Sequence, residues 1–326
     1  MNKKKAVWGF LSLGIAILTI MMIASGSKEF SLDTMMVYLS RANKLWLVAG
    51  LLCMFGYIWF EGYALGYQSA KRQGTVYGAA DVFFSAITPS ASGGQPASMF
   101  FMLRDGMTFP ACTTALLINL VMYTLATLTI GSLSVLFHFD LFRRMSLFSR
   151  ILIVVGWFVM TGLSLLFYML LRRGEILYRL CDRVMEMLGK RKLLSNLTKK
   201  QAKLKKKIAG HGRMLIRIFI INLLQRLSQI GVTFMIFMAL GEGFRTSVEG
   251  FVVQAFTALG SNSIPIPGGM GGADYLMLDG FGEILGRDAA SIEMLCRGCS
   301  FYVCIITSAL IVLAGYFMGR KRSLRK

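Results

Sequence analysis

The sequence predicts an all-α polytopic membrane protein, with about six full transmembrane helices and two re-entrant half-helix hairpins in an inverted repeat. Three observations carry this. Hydrophobic residues make up 55% of the 326 and charged residues only 16%. Several apolar runs exceed the roughly 20 residues that cross a bilayer as helix. Two further apolar stretches are each broken halfway by Pro and Gly, in matching order. A soluble helical protein of this size would need far more polar residues to cover its surface.

Read in order, the apolar runs give full spans near 7–25, 45–67, 111–137, 151–171, 215–240 and 292–317. The first, Val7 to Ser25 behind Lys3, Lys4 and Lys5, has an apolar core too long for a signal peptide and reads as an uncleaved span. Six crossings return the chain to its starting side, so both termini are expected in the cytoplasm. The connector 171–213 then falls on the same side, and it carries fourteen Lys or Arg against three acidic residues, as the positive-inside bias requires. The stretch "FRRMSLFSR" at 142–150 runs against the bias, placing three arginines outside. The whole chain, 1–326, reads as a single integral membrane domain.

The formal net charge of +20 is concentrated at the amino end, in the connector and in the tail after Gly319. Basic clusters flanking apolar spans suit an anionic membrane surface. They carry no interleaved aromatic platform, so DNA is not an expected partner. The connector itself, with its "KKQAKLKKK" run, reads as a solvated face lying on anionic lipid. Cys296 and Cys299 form "CRGC", but the two histidines, His138 and His211, are distant, so the cysteines read as small helix-packing residues and no metal or cofactor is expected.

The hairpins span 75–103 and 249–286. Broken helices are tolerated at membrane depth where protein buries them or they line a watery cavity. "TPSASGGQPASMFFML" (88–103) and "SIPIPGGMGGADYLML" (263–278) align without gaps, superimposing Gly93-Gly94 on Gly268-Gly269 and Met102-Leu103 on Met277-Leu278. In this layout one hairpin opens from the cytoplasm and the other from outside, the mark of an inverted repeat with a site between the breaks.

Each break should end one half-helix at a proline and start the next with free N–H groups facing the gap, after Gly94 and after Gly269; Gly271 and Gly272 extend the second glycine cluster. Paired helix N-termini favour an anion, and a lipid phosphate is the expected guest. In the fifth span Asn222, Gln225, Arg226 and Gln229 follow at i, i+3, i+4 and i+7 on one helix face. Arg226 falls near mid-membrane, where an arginine needs a partner and a guanidinium can hold phosphate bidentately. Among the acids, Glu293 and Arg297 are spaced to pair with each other. Asp274 either caps the second half-helix or receives a substrate ammonium. Glu61 either neutralises Arg226 or attracts a cationic head group. Asp81 and Gln95 complete the candidates on the first hairpin.

"ITPSASGGQPASMFFMLRDG" and "IPIPGGMGGADYLML" together resemble the two signature segments of the lysylphosphatidylglycerol synthase transmembrane-region family, the flippase-like proteins related to the membrane half of the multiple peptide resistance factor. The resemblance covers roughly 7–320. Family members usually have Glu at the position of Asp274, which keeps the charge, and many have Glu at the position of Gln95, which does not. The resemblance implies a protein of the bacterial inner membrane that moves phosphatidylglycerol, or its aminoacylated form, between leaflets. The alternative it implies is a phosphatidylglycerol lysyltransferase, or the membrane subunit of one, transferring lysine from lysyl-tRNA and conferring resistance to cationic peptides. Because Lys326 follows the last span closely, the soluble transferase domain of full-length relatives is not expected here, and a separate synthase subunit would then be the partner. No catalytic nucleophile and base pair stands out in the sequence.

Overall fold

A computed structural model describes residues 32–69, 73–88, 91–172, 212–262, 271–286 and 289–323. The expected span at 7–25, nearly all of the basic connector and the break residues 263–270, with Gly268 and Gly269, lie outside the described residues. Every described element is helical: α1 (Leu32–Arg41), α2 (Lys44–Ser69), α3 (Gly74–Ile87), α4 (Gly94–Arg104), α5 (Phe109–Phe137), α6 (Phe139–Arg144), α7 (Leu147–Arg172), α8 (Gly212–Ala239), α9 (Phe244–Ser261), α10 (Gly272–Leu285), α11 (Ala289–Arg297) and α12 (Val303–Ser323), with a π-helical turn at Gly298–Tyr302 joining the last two.

Five segments are long and apolar enough to span a membrane: Lys44–Gln68, Ala111–Phe137, Leu147–Met169, Gly212–Ala239 and Ala289–Phe317. They match five of the six spans expected from the sequence. Large apolar side chains stand exposed along them, among them Leu45, Trp59, Leu136, Phe158, Ile306 and Leu310. Such continuous apolar exposure fits lipid and would not be stable against water.

Local chemistry sets the helix ends. The Asn43 side chain accepts from the Leu45 N–H at 3.0 Å and so caps α2. Helix α3 stops at Thr88, which is extended before Pro89 as a pre-proline residue must be. The Thr88 hydroxyl donates to the Phe84 carbonyl at 2.6 Å and accepts from the Gly93 N–H at 2.8 Å, stitching the first break. Three features depart from the sequence reading. Helices α1 and α6 were not foreseen, both being too short to register as spans. In "FRRMSLFSR", Arg143 and Arg144 close α6 while Arg150 already belongs to α7, so the basic run sits at a helix junction. The second half-helix of the later pair starts at Gly272, with Gly271 as its N-cap at φ 76°, two residues beyond the expected start directly after Gly269.

The two short-helix pairs, α3–α4 and α9–α10, each pack as partners, and each is flanked alike. Helix α2 precedes the first pair and packs on α3; α8 precedes the second and packs on α9. Helices α2 and α8 also pack along each other. The following long helices are exchanged, α5 against α9 and α12 against α3. This reciprocal arrangement packs α3 on α2, and α9 on α5 and α8, around the seam between those three long helices.

The closest crossing is between α2 and α3. A Cβ on Gly78 would lie 2.3 Å from the Gly62 nitrogen, and one on Gly74 would lie 2.3 Å from the Gly62 carbonyl oxygen and 2.9 Å from the Gly66 Cα. Small residues four apart on both helices allow this backbone contact, the usual device where lipid supplies no hydrophobic drive for helix association. Gly78→Leu is expected to cost about 3 kcal/mol or more through overpacking, read as loss of the monodisperse peak in size-exclusion chromatography. Gly162→Leu, at a position with nothing within 4 Å, should leave that peak unchanged.

Candidate functional site

The polar residues of the core gather at the seam. Glu61, on α2, is 2% exposed and is held by two amides: Asn119 Nδ2 of α5 donates at 2.7 Å and Gln225 Nε2 of α8 at 2.6 Å. A carboxylate can only accept, so both amides must turn their NH2 groups toward it. Asn222 Nδ2 then donates to Asn119 Oδ1 at 3.1 Å and to the Ile218 carbonyl at 2.9 Å. These bonds leave Gln225 Oε1 and Asn222 Oδ1 buried without a partner.

Arg226 is 3% exposed, about 21 Å along a helix about 42 Å long. Its guanidinium lies 3.7 Å from the centre of the Tyr123 ring on α5 and 5.7 Å from that of Tyr57 on α2. Cation–π contact with desolvated rings contributes about 2 kcal/mol. Nη1 donates to Gln229 Oε1. Nε and Nη2 have no partner. Among the described residues no ion pair joins Arg226 to Glu61.

Helix α3 and the residue that ends α9 both reach this cluster. Asp81, on α3, is in hydrogen-bond contact with the Glu61 carboxyl and within electrostatic reach of Arg226. Its Oδ1 is buried and unpartnered. Beside it runs the N-terminal turn of α4, which comes so close that a Cβ on Gly94 would lie 2.5 Å from Asp81 Oδ1 and 2.1 Å from Ser85 Oγ. Gly93 is the N-cap of that helix and Gln95, half-buried, its second residue. From the other break, the Asn262 side chain bonds the Tyr123 hydroxyl. A buried cation with two open donors thus faces a pair of carboxyls, with a helix start at its side.

The family model described as the lysylphosphatidylglycerol synthase TM region matches residues 10–308. The chain belongs to this family. Family and helices together make it a multi-pass membrane protein in a lysylphosphatidylglycerol context. No curated protein and no solved structure matches the chain.

In this member of the lysylphosphatidylglycerol synthase TM region family the acids of the second half form a separate group. Asp274 Oδ2 accepts from the Gly271 N–H at 2.9 Å, capping α10, and its Oδ1 lies 2.6 Å from Arg297 Nε. Glu293 is 3.9 Å from the same nitrogen, so the i,i+4 pair expected from the sequence exists but is looser than the contact with Asp274. The Arg297 guanidinium also covers the Phe301 ring at 4.8 Å, inside the π-turn. Asp274 is therefore engaged in local structure. Of the residues expected at the site, the structure brings Glu61, Asn222, Gln225, Arg226 and Gln229 together with Gly94; it sets Gly271, Gly272 and Asp274 apart with Arg297. Asn119, Tyr57 and Tyr123 escaped the sequence reading because each is a lone polar or aromatic position on an otherwise apolar helix. Asn119 alone carried a signal, as an amide within an apolar run of span length.

Glu61→Leu would strand the amide donors of Asn119 and Gln225. Each stranded donor should cost about 1–3 kcal/mol, measured as a lower thermal midpoint in detergent. Glu61→Gln should recover part of the loss.

Proposed function

We propose that the protein is a flippase-like lipid transporter of the bacterial inner membrane, carrying phosphatidylglycerol or its lysyl form between leaflets, with the headgroup phosphate held at Arg226. The observation that carries this reading is the guanidinium itself: buried at mid-helix among aromatic rings, with Nε and Nη2 unspent. Nε and Nη2 lie side by side on a guanidinium and match two oxygens of a phosphate in the bidentate fork that arginine makes best. An arginine in a membrane interior is costly unless it serves a partner. The N-terminal turn of α4, at Gly94 and Gln95, lies against Asp81 at the edge of the seam and supports an anion there.

Under this proposal the segment 7–25 completes six crossings, both termini and the basic connector are cytoplasmic, and the two short-helix pairs are re-entrant hairpins entering from opposite faces. The reciprocal packing of α5 on α9 and α12 on α3 supports an inverted repeat. Alternating access would then rock one half against the other around the Arg226 seam. Glu61 holds the seam's amides in place and attracts a cationic part of the headgroup. The word synthase in the family's name supports a second reading, in which the chain is the membrane part of a lysyl-lipid-forming enzyme acting with a separate synthase subunit.

Vesicles reconstituted with the pure chain and labelled lysylphosphatidylglycerol in one leaflet distinguish the two. The transporter reading expects label to equilibrate across the bilayer, and Arg226→Ala to slow this by at least about 100-fold, the loss of a charged bidentate contact of roughly 3 kcal/mol, with folding intact. New lysyl-lipid formed from lysyl-tRNA, with no exchange, would instead establish the enzyme. Unchanged exchange in Arg226→Ala would remove the guanidinium from the site.

A further inference from the structure

The seam contains more negative groups than its positive partner balances. Glu61 and Asp81 touch each other, while one guanidinium, that of Arg226, faces them. The other titratable groups turned toward the pair are the Tyr57 hydroxyl on α2, the Tyr123 hydroxyl on α5 and, beyond Tyr57, the Cys304 thiol of α12; α4 presents only the Gly94 turn. None of these adds a positive charge. With both carboxyls ionised, Arg226 would be drawn to them and an arriving anion repelled. With one proton between them, the pair carries a single charge, Arg226 balances it, and the open Nε and Nη2 become available to an anion.

We propose that the Glu61–Asp81 carboxyl pair is a proton-loading site, and that a proton accompanies the anionic headgroup bound at Arg226. This rests on the headgroup reading above and supplies what that reading lacks, a way to drive transport. The contact geometry selects a proton over a metal ion. Two carboxyl groups in hydrogen-bond contact need a hydrogen between them, and neither has oxygens free to gather around a metal ion: Glu61 gives both of its own to the amides of Asn119 and Gln225, and Asp81 Oδ1 is closed in by the Gly94 turn. A second feature points to the same place. Asp81 Oδ1 is buried with no donor, and a carboxyl oxygen left so is less costly when the group is neutral than when it is charged. Chemically the step moves a proton from a hydronium ion to a carboxylate oxygen: one O–H bond breaks in the hydronium, leaving water, one forms on the carboxyl, and no bond in the lipid changes. Because the two ligands favour each other, the linkage is reciprocal: protons tighten anion binding and the anion draws in a proton.

The test uses the full chain in an uncharged detergent and dihexanoyl-phosphatidylglycerol, a soluble probe with one phosphate and no ammonium. Calorimetric titration in buffers of different ionisation enthalpy counts protons bound per probe. The expected result is uptake approaching one proton per probe, with affinity rising by up to about tenfold per pH unit of acidification where uptake is complete, and no dependence on replacing sodium by choline. Asp81→Asn and Glu61→Gln should each abolish the uptake and flatten the pH slope; either one, recovered folded, suffices. Binding by the wild type without proton uptake, sodium-dependent binding, or uptake that persists in both variants overturns the proton site while leaving the headgroup reading intact. A wild type that does not bind the probe overturns both.

Discussion

Water is absent from the interior of a bilayer, and that absence organises the polar core of this protein. A guanidinium placed midway along α8 has no solvent to turn to, so neighbouring helices must supply its surroundings. Tyr57 from α2 and Tyr123 from α5 provide ring faces, and Gln229 provides one acceptor. The amide chain from Asn222 through Asn119 to Glu61 fixes the same three helices relative to one another. A buried network of this kind specifies one packing, since any slip strands several groups together. Two guanidinium donors and two amide oxygens nonetheless remain without a partner in this network.

The surrounding architecture follows from the need to bring broken backbone to that place. A helix start inside lipid is tolerated only when protein covers it. Here the α4 start lies against α3, and Thr88 ties off the preceding turn. The far ends of the short helices are anchored as well. Arg104 donates to the Gly315 carbonyl at 2.8 Å, and Asp105 accepts from the Tyr77 hydroxyl at 2.5 Å, tying the first pair to α12 and to itself. On the second pair, Asp279 accepts from the Ser146 N–H at 2.9 Å, linking it to the junction before α7.

Much of this was legible in the sequence, for physical reasons. Span-length apolar runs leave little choice but helix, and five of them reappear with ends within about four residues. The stripe Asn222, Gln225, Arg226, Gln229 could be read because a helix places those four on one face without help from elsewhere. The partners could not. Tyr57, Asn119 and Tyr123 come from two other helices, and their convergence on Arg226 and Glu61 depends on tertiary packing that no local period encodes. The second half-helix was misplaced by two residues for a related reason: gapless alignment matched Gly269 to Gly94, whereas the cap formed by Asp274 on the Gly271 N–H fixes the start at Gly272. The pairing of Asp274 with Arg297 was also out of reach, since the i,i+4 neighbour Glu293 offered a nearer explanation.

The crossing of Gly62 and Gly66 with Gly74 and Gly78 has a mechanical meaning. With main chain resting on main chain, no rotamer can yield between α2 and α3, and the two behave as one strut. Glu61 is bolted to one half of that strut and Asp81 to the other, so the gap between the acids is insulated from repacking elsewhere. Arg226 sits on a different beam, α8, joined to the strut through side chains alone, among them the Glu61–Gln225 hydrogen bond. The spacing of the acids is thus set by main chain, and that of the cation by rotamers.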